Sequence, residues 1–410
     1  MNICIFTGAR PNFIKVAPLL RAIEGMNHSL DSRSSSARLQ SEAAQELPLP
    51  KQGGTGRVSL NAQLVYAGSE DDPTLEPMLF EHLGISRPDV WLDVVCENLN
   101  ELTGQVMAKF ERYLQDNPTD VVVVVDDLAS AMAASIVTKK QGVQLAHIAA
   151  GTRSFDISMP KEINRLVIDG LSDILFTAGI SNNSIANKEG AELSKVYMVG
   201  NILMDNIRYN QSKQVRPRVL DDLQVNDGEY IVFTLNRKAL LADGDNLKEM
   251  VAAILRESGQ MKIIAPLREP ASTLISVFVY QWERWGASDP ERIEFIEPLG
   301  FLEFSYLIAH AKGIITDSGN VAEEATFYHV PCITLNSYTE HEETVKVGTN
   351  VLVGEDAEKL GEEVHRMVSG EWKPSGIPDR WDGRTADRIL QILCTQLPEL
   401  KKGSYKGVKG

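Results

Sequence analysis

The sequence predicts an α/β fold of two doubly wound, parallel-sheet domains of the Rossmann-like type, facing each other across a cleft. Short apolar strands alternate with helical patterns along most of the chain, which is typical of parallel sheets. Five consecutive valines at 121–125 have the pattern of a central strand buried on both faces. The 410 residues exceed the size at which a single hydrophobic core usually splits, so two domains are expected.

Composition and charge narrow the class of protein. The chain is 43% hydrophobic and 24% charged, as in ordinary soluble globular proteins. Its net charge of −15 argues against nucleic acid or an anionic membrane as the main partner. No segment is apolar enough to span a bilayer, and residues 2–11 predict a strand rather than a signal peptide. The four cysteines lack paired spacing, so we expect a cytoplasmic protein with buried thiols and no metal.

The first predicted strand, Ile3–Phe6, runs into a turn and a helix that carry two cations, Arg10 and Lys15. Cations at a helix start can bind a ligand phosphate, whereas exposed salt-bridge partners are the alternative interpretation. Apolar periodicity is then lost from residue 27 to residue 61. We predict a flexible insertion there, with a short helix around Ala37–Glu46.

After the insertion the alternation of strands and helices resumes. Predicted strands are Gln63–Ala67, 121–125, Gln144–Ala149, Ile174–Thr177 and Val196–Val199, and the longer helices are Leu99–Leu114, Leu128–Gln141 and Ile163–Leu171. Asp126 directly follows the valine strand. Because ligands of parallel sheets lie beyond the carboxyl ends of the strands, Asp126 is a candidate site residue. The first domain is predicted to span residues 1–200.

The second half repeats the pattern and predicts a second domain over residues 201–380. Its strands are Tyr230–Thr234, Lys262–Pro266, Glu294–Ile296, 314–316, Cys332–Leu335 and Val351–Val353. The last segment, 381–410, contains a predicted helix, Thr385–Leu397, that is long enough to pack back on the first domain. The Lys- and Gly-rich tail after it is expected to fray.

One stretch of the second domain, 313–326 with the sequence GIITDSGNVAEEAT, predicts a buried strand that turns directly into a helix. Such a junction leaves free backbone N–H groups at the positive end of the helix, which suits a phosphate or diphosphate. Ser318 would add a donor, and Gly319 would allow close approach. The carboxylate of Glu324 could accept hydrogen bonds from ribose hydroxyls. An ordinary strand–helix junction is the alternative.

Motifs along nearly the whole chain resemble the non-hydrolysing UDP-N-acetylglucosamine 2-epimerases, whose fold is like that of glycosyltransferase-B enzymes. The motifs are GARPNFIKVAPLL (8–20), HIAAGTRSFDISMPKEINRLVIDGLSDILF (147–176), PLGFLEFSYLI (298–308), TDSGNVAEEA (316–325) and TEHEETVKVGTNVLVG (339–354). The resemblance implies a UDP-sugar ligand and inversion at C2 by elimination and re-addition of UDP. It implies no cofactor, neither a nicotinamide nor a metal.

The resemblance also carries over binding residues, position by position. Ser318, Gly319 and Glu324 match the element that holds the diphosphate and ribose, with Asn320 where the family has a second glycine. Phe304 matches an aromatic residue of the uracil pocket, and His341 replaces a family arginine with a weaker cation. The implied nucleotide- and substrate-binding set is Arg10, Lys15, Phe304, Ser318, Gly319, Asn320, Glu324 and His341.

The family's catalytic positions are largely changed. Asp126 matches a retained aspartate, but two glutamates are replaced by Ala149 and Lys161, and a histidine by Asn236. The loss of one general acid or base typically slows a reaction by roughly 10²–10⁴-fold. Lys161 is the second candidate catalytic residue, because a buried lysine can act as a base. Beside Asp126, however, it is expected to form a neutralising ion pair.

Three functions are therefore weighed. The first is a pseudoenzyme-like protein that binds UDP or a UDP-N-acetylhexosamine, with weak or lost epimerase activity. The alternatives are an active UDP-GlcNAc/UDP-ManNAc 2-epimerase in polysaccharide precursor synthesis and a UDP-sugar transferase or hydrolase. Since members of the family are usually homodimers, a homodimer is expected, with a partner protein or an active paralogue as the other candidate partner.

Overall fold

The structure, a computed structural model, describes residues 1–41, 59–189, 195–284 and 292–403. The chain divides into two compact units. Residues 1–206 and 383–410 form the first, called unit 1 below, and residues 207–382 form the second, called unit 2. Within the described residues, no helix is both long enough and apolar enough to cross a membrane.

Unit 1 is built on a parallel sheet in which seven strands are described, in the order β3-β2-β1-β4-β5-β6-β7. The strands are β1 (Asn2–Thr7), β2 (Asn61–Tyr66), β3 (Val90–Trp91), β4 (Val121–Val125), β5 (Gln144–Ile148), β6 (Ile174–Thr177) and β7 (Lys195–Met198). The helices are α1 (Arg10–Ser41), α2 (Pro77–Leu83), α3 (Leu99–Asp116), α4 (Ala129–Lys140), α5 (Pro160–Leu171), α6 (Ile180–Glu189) and α7 (Ile202–Asn210).

Unit 2 is built on a second parallel sheet, with six described strands in the order β10-β9-β8-β11-β12-β13. The strands are β8 (Tyr230–Phe233), β9 (Lys262–Pro266), β10 (Ile293–Ile296), β11 (Gly313–Thr316), β12 (Cys332–Thr334) and β13 (Asn350–Leu352). The helices are α8 (Arg218–Asp222), α9 (Lys238–Ala242), α10 (Gly244–Glu257), α11 (Ala271–Arg284), α12 (Phe301–Ala309), α13 (Gly319–Phe327), α14 (Glu343–Lys346) and α15 (Ala357–Ser369). The predicted fold class of two parallel-sheet α/β domains is confirmed.

The last helix, α16 (Thr385–Gly403), completes the core of unit 1. Its apolar residues Ile389 and Leu393 are fully buried in the same hydrophobic cluster as Phe13 of α1 and Val123 of β4. The helix start is fixed by Asp205, whose carboxylate oxygens accept hydrogen bonds of 3.0 Å each from the backbone N–H groups of Thr385 and Ala386. The C-terminal segment is therefore an integral part of unit 1.

Helix α1 continues through the first part of the predicted flexible insertion, as far as Ser41. No glycine or proline occurs between residues 27 and 41, so nothing in that stretch forces the helix to stop. The helix predicted around Ala37–Glu46 overlaps the end of α1. Residues 42–58 lie outside the described residues.

Each sheet reverses its winding direction at one point, between β1 and β4 in unit 1 and between β8 and β11 in unit 2. In open α/β sheets the loops that follow the strands on the two sides of such a switch point form the usual ligand crevice. A ligand site is therefore expected among the residues just after these four strands, which include Arg10, Asp126, Asn236 and Ser318.

Candidate functional site

At the switch point of unit 2, Asp317 ties the ends of the two central strands together. Its Oδ2 accepts hydrogen bonds from the backbone N–H groups of Asn236 (2.7 Å) and Arg237 (2.5 Å), which follow β8. Its carbonyl oxygen accepts from the Nδ2 of Asn336, which follows β12, at 3.1 Å. Sequence reasoning did not single out Asp317. Its place directly after a fully buried strand was the available signal.

Ser318 is the N-terminal capping residue of α13, but its side chain makes no capping hydrogen bond in the described structure. Its own backbone N–H donates to the Oγ1 of Thr316 at 3.0 Å. The first amides of α13 are therefore left without a side-chain cap, and this is the arrangement in which a helix start binds an anion. A Cβ atom placed on the next residue, Gly319, would have no neighbour within 4 Å, so the approach to these amides is open.

A polar cavity of about 280 Å³ adjoins this helix start. Its lining includes Ser318, Gly319, Asn320, Glu323 and His341. Four of these five were predicted binding residues, and Glu323 is an addition. The Nε2 of His341 lies 3.4 Å from the Oε1 of Glu323, so the cation predicted at position 341 has an acidic neighbour within the cavity.

Glu324, the predicted ribose ligand, lies on α13 beside Glu323 but is not part of this cavity lining. It is buried, with 8% of its surface exposed. Burial, and then the charge of Glu323, raise the pKa of Glu324 to about 8. Phe304, the predicted uracil contact, lies on α12 and is half-buried against the hydrophobic cluster that contains Leu307 and Val321.

At the switch point of unit 1, the carboxylate of Asp126 is paired with Lys15 of α1, at 2.7 Å between Oδ1 and Nζ. Its Oδ2 also accepts from the Nδ2 of Asn12 at 3.3 Å. The two predicted site residues Lys15 and Asp126 are thus in direct contact. Arg10 begins α1, and its Nε is buried without a hydrogen-bond partner in the described structure.

The expected ion pair between Lys161 and Asp126 is wrong. The Nζ of Lys161 lies 3.4 Å from the Oδ1 of Asp127 instead, and the lysine side chain is 63% exposed. The physical reason is that Lys15 already occupies Asp126, whereas Asp127 points to the start of α5, where Lys161 lies. Asp127 also accepts two hydrogen bonds on Oδ2 from the guanidinium of Arg165, at 2.8 and 2.7 Å.

Helix α5 buries a charged face. Its buried residues include Glu162, Arg165 and Asp169, which the 3.6-residue helical period places on one side. The carboxylate of Glu162 accepts from the backbone N–H and the Oγ of Ser154, both at 2.9 Å, and from Arg165 at 3.2 Å. Although burial acts to raise the pKa of Glu162, the hydrogen bonds from Ser154, Arg165 and Phe155 hold it below its ordinary value.

Asp169 joins α5 to strand β5 and the loop after it. It contacts the Nδ1 of His147 at 2.6 Å, the backbone N–H of Gly151 at 3.0 Å and the Nη1 of Arg153 at 2.8 Å. Burial acts to raise the pKa of Asp169, but the charges and hydrogen bonds of His147, Arg153 and Gly151 lower it overall. Sequence reasoning missed His147, Arg153 and Asp169 as site residues. For Asp169, the available signal was the spacing of three and four residues between Glu162, Arg165 and Asp169 in one helix.

The loops that follow β4 and β5 contain left-handed residues. Asp126 has φ = 60° and Ala149 has φ = 70°, and Gly151, at 72°, has no room for a side chain because its Cβ would lie 2.2 Å from the carbonyl oxygen of Asn182. Left-handed backbone is uncommon for residues other than glycine and concentrates at functional sites. The carboxyl edge of the unit 1 sheet is therefore a strained, densely charged region with Asp126 and Ala149 at its surface.

A comparison with protein families matches residues 55–394 to the family model described as UDP-N-acetylglucosamine 2-epimerase. The chain is 31% identical over 402 residues to the UDP-N-acetylglucosamine 2-epimerase of Methanocaldococcus jannaschii, covering 96% of this chain and 99% of that protein. It is 30% identical over 398 residues to the UDP-2,3-diacetamido-2,3-dideoxy-D-glucuronate 2-epimerase of Pseudomonas aeruginosa, with the same coverage of 96% and 99%.

Solved structures agree with these relatives. The crystal structure of the Methanocaldococcus jannaschii UDP-GlcNAc 2-epimerase in complex with UDP-GlcNAc and UDP superposes with a TM-score of 0.71 at 30% identity, covering 96% of this chain and 99% of that one. The apo lipopolysaccharide outer core galactosyltransferase WaaB matches with a TM-score of 0.52 at 12% identity, covering 98% of this chain and 100% of that one. The second likeness concerns the fold alone.

Proposed function

The chain belongs to the UDP-N-acetylglucosamine 2-epimerase family, and we propose that it binds UDP or a UDP-N-acetylhexosamine and has weak or lost epimerase activity. Binding is supported by the uncapped start of α13 beside a polar cavity and by the relative that was solved with UDP-GlcNAc and UDP. In this proposal the nucleotide diphosphate accepts hydrogen bonds from the first backbone N–H groups of α13, which no side chain of the described structure caps.

The observation that carries the loss of activity is the lysine at the start of α5. Lys161 stands where the family resemblance expects a glutamate, and its ammonium lies 3.4 Å from Asp127. Epimerisation at C2 requires a group that removes a hydrogen and a group that returns one. The methyl group of Ala149 can do neither, and Asp126 is already held in an ion pair by Lys15. We therefore expect turnover roughly 10²–10⁴-fold or more below that of a fully equipped enzyme.

An active epimerase is the second candidate, and one observation favours it. Four titratable groups remain together at the carboxyl edge of the unit 1 sheet, namely Asp126, Asp127, Glu162 and His147. A proton donor and acceptor could be recruited from among them. A third candidate, a transferase or hydrolase acting on a UDP-sugar, would show itself as UDP release that depends on an added acceptor or on water.

The proposed binding roles follow the resemblance. The cations Arg10 and Lys15 would act on the diphosphate, Phe304 on the uracil, Glu324 on the ribose, and His341 would supply a weak positive charge. The strand–helix junction at Ser318, Gly319 and Asn320 would hold the phosphates. Asp126 is the proposed retained catalytic group, and Lys161 is proposed to oppose catalysis rather than to assist it.

UDP is expected to raise the melting temperature of the protein by roughly 5 °C at a concentration about 100-fold above its dissociation constant. Ser318→Ala should reduce this rise to less than half, since it removes a phosphate donor at the helix start. Ser337→Ala is the matched control, because Ser337 is exposed and outside the cavity lining. An unchanged melting temperature at millimolar UDP would reject the binding function.

Incubation with UDP-GlcNAc in D₂O is expected to give little or no deuterium at C2 and little UDP-ManNAc, compared with an equal amount of the Methanocaldococcus jannaschii enzyme. The triple variant Ala149→Glu, Lys161→Glu, Asn236→His should raise the exchange rate, because it restores the missing carboxylates and imidazole. The same triple change with Ser318→Ala is the control, and its exchange should fall again. Exchange by the unmodified protein at the relative's rate would establish an active epimerase instead.

A further inference from the structure

Both backbone polar groups of Asp126 are held by strand β5. Its N–H donates to the carbonyl oxygen of Ile148 at 3.2 Å, which continues the ladder between β4 and β5. Its own carbonyl oxygen accepts from the Nε2 of His147 at 2.9 Å. These two bonds fix the residue on both sides of its Cα, and between them the chain turns into the left-handed conformation at φ = 60°.

His147 is itself fixed by Asp169. The imidazole is 2% exposed, and its Nδ1 lies 2.6 Å from the Oδ1 of Asp169. One ring nitrogen therefore faces a carboxylate and the other faces a backbone carbonyl, so the ring cannot rotate without losing a buried contact. The other oxygen of Asp169 binds Gly151 and Arg153, which anchors the carboxylate.

We propose that His147, oriented by Asp169, is a positioning residue that holds the main chain of Asp126 in its left-handed conformation and so directs the Asp126 carboxylate at the sugar part of a bound ligand. The aim at a ligand rests on the proposed function. The hold on the backbone rests on the structure alone. The carbonyl oxygen of Asp126 is linked through the His147 ring to Asp169 of α5. This link fixes the backbone of Asp126 and therefore the direction of its side chain.

The alternative is that His147 only fills space in the core. The two roles differ in which ring nitrogen matters. The amide nitrogen of a glutamine at position 147 reaches about as far as Nε2 and can still donate to Asp126, whereas that of an asparagine reaches about as far as Nδ1 and can donate only toward Asp169. His147→Gln and His147→Asn therefore separate the bond to Asp126 from the bond to Asp169.

The first measurement needs no ligand. Urea unfolding midpoints are compared for His147→Asn in the unmodified protein and in an Asp126→Gly background. Because glycine adopts positive φ without steric cost, the loss of the tether should lower the midpoint less than half as much in the glycine background. An equal lowering in both backgrounds would overturn the hold on Asp126, and a space-filling role would remain.

The second measurement compares dissociation constants for UDP-GlcNAc and UDP. His147→Asn should weaken the preference for UDP-GlcNAc over UDP roughly three- to tenfold, the effect of one hydrogen bond on positioning, while UDP binding stays within about twofold. His147→Gln should keep the unmodified preference. If both variants change this preference equally, the proposal that His147 directs the Asp126 carboxylate at the sugar is wrong. If the unmodified protein binds no UDP, the proposed function fails, and the urea experiment still decides the hold on Asp126.

Discussion

The Arg165→Met variant should lose about 3–5 kcal/mol of the free energy of unfolding. The guanidinium is 6% exposed and bonds two carboxylates, Asp127 at 2.7 Å and Glu162 at 3.2 Å. Methionine preserves much of the side-chain volume but leaves both acids with less positive charge in a region where water cannot replace it. Breaking one side of a buried ionic network is costly for this reason, even where the intact network contributes little net stability.

The control for this prediction is Arg87→Met, in the same unit. Arg87 is 52% exposed and lies 3.5 Å from Glu70, and an exposed pair of this kind contributes about 0–1 kcal/mol. Arg165→Lys should fall between the two, since lysine keeps the charge but loses the planar fork that bonds two acids at once. Urea unfolding measures all three. If Arg165→Met lowers the free energy of unfolding no more than Arg87→Met does, the guanidinium of Arg165 is not needed to stabilise the buried carboxylates of Asp127 and Glu162.

The Glu324→Gln variant should be more stable than the unmodified protein at pH 8 and equally stable at pH 4. Burial raises the pKa of Glu324 to about 8, from an ordinary value near 4.3. Below the ordinary value the carboxyl is protonated in both the folded and the unfolded chain, so it contributes no difference. As the pH rises toward 8, the unfolded chain loses this proton and the folded chain retains it, so folding becomes progressively less favourable.

The stability gained by glutamine should therefore grow between about pH 4 and pH 8 and level off above pH 8, reaching a few kcal/mol, on the order of 1.4 kcal/mol per pH unit. Glu358→Gln serves as the control, because Glu358 is exposed on α15. Its stability difference should change by no more than about 1 kcal/mol over the same range, the usual size of a charge effect in the first turn of an exposed helix. Melting temperatures of the three proteins from pH 4 to pH 9 test this, and a flat Glu324→Gln difference would contradict it.

The same carboxyl links ligand binding to pH. If two ribose hydroxyls donate to Glu324, they bind its ionised form more strongly than its protonated form, so the folded protein at pH 7 should release protons on binding UDP. The affinity for UDP should accordingly increase from pH 6 to pH 8. Proton release is measured by titration calorimetry in two buffers of different ionisation enthalpy, and Glu324→Gln should abolish it.

The fold class was readable from the sequence because its signal is local. A run such as 121–125 is apolar on both faces, and only a strand covered by helices on both sides accommodates that pattern. The strand after the valine run and the strand at 313–316 were located for the same reason. Strand β3, with its two residues Val90 and Trp91, is too short to show any period.

Helix α5 explains why the candidate site was harder to predict. Its buried side holds Glu162, Arg165 and Asp169, whereas Ile163 and Leu166 are 48% and 40% exposed. A rule that places apolar residues in the interior would assign these charged residues to the surface and Ile163 and Leu166 to the core. The observed reversal is physically permitted because each buried charge has a partner of opposite sign. Glu162 and Arg165 pair within the helix, but Asp127 and Arg153 come from loops that are distant in the sequence.

The same limit applies to individual site residues. Asp126 was identified from its place after a central strand, and Ser318 and Gly319 from a strand–helix junction, because position in the fold is encoded locally. The partners were not. Lys161 was assigned to Asp126 instead of Asp127. The sequence does not show which of two adjacent aspartates faces a given partner, because that depends on the backbone conformation, here the left-handed turn at Asp126.

The packing of α16 has a consequence for how the chain is made. Unit 2 is continuous from residue 207 to residue 382, whereas unit 1 is assembled from two segments and its core lacks Ile389 and Leu393 until α16 exists. On a ribosome, residues 1–206 emerge first but cannot close their core, and the whole of unit 2 emerges before α16 does. Vectorial synthesis therefore reverses the order of completion: the second unit to appear is the first that can finish folding.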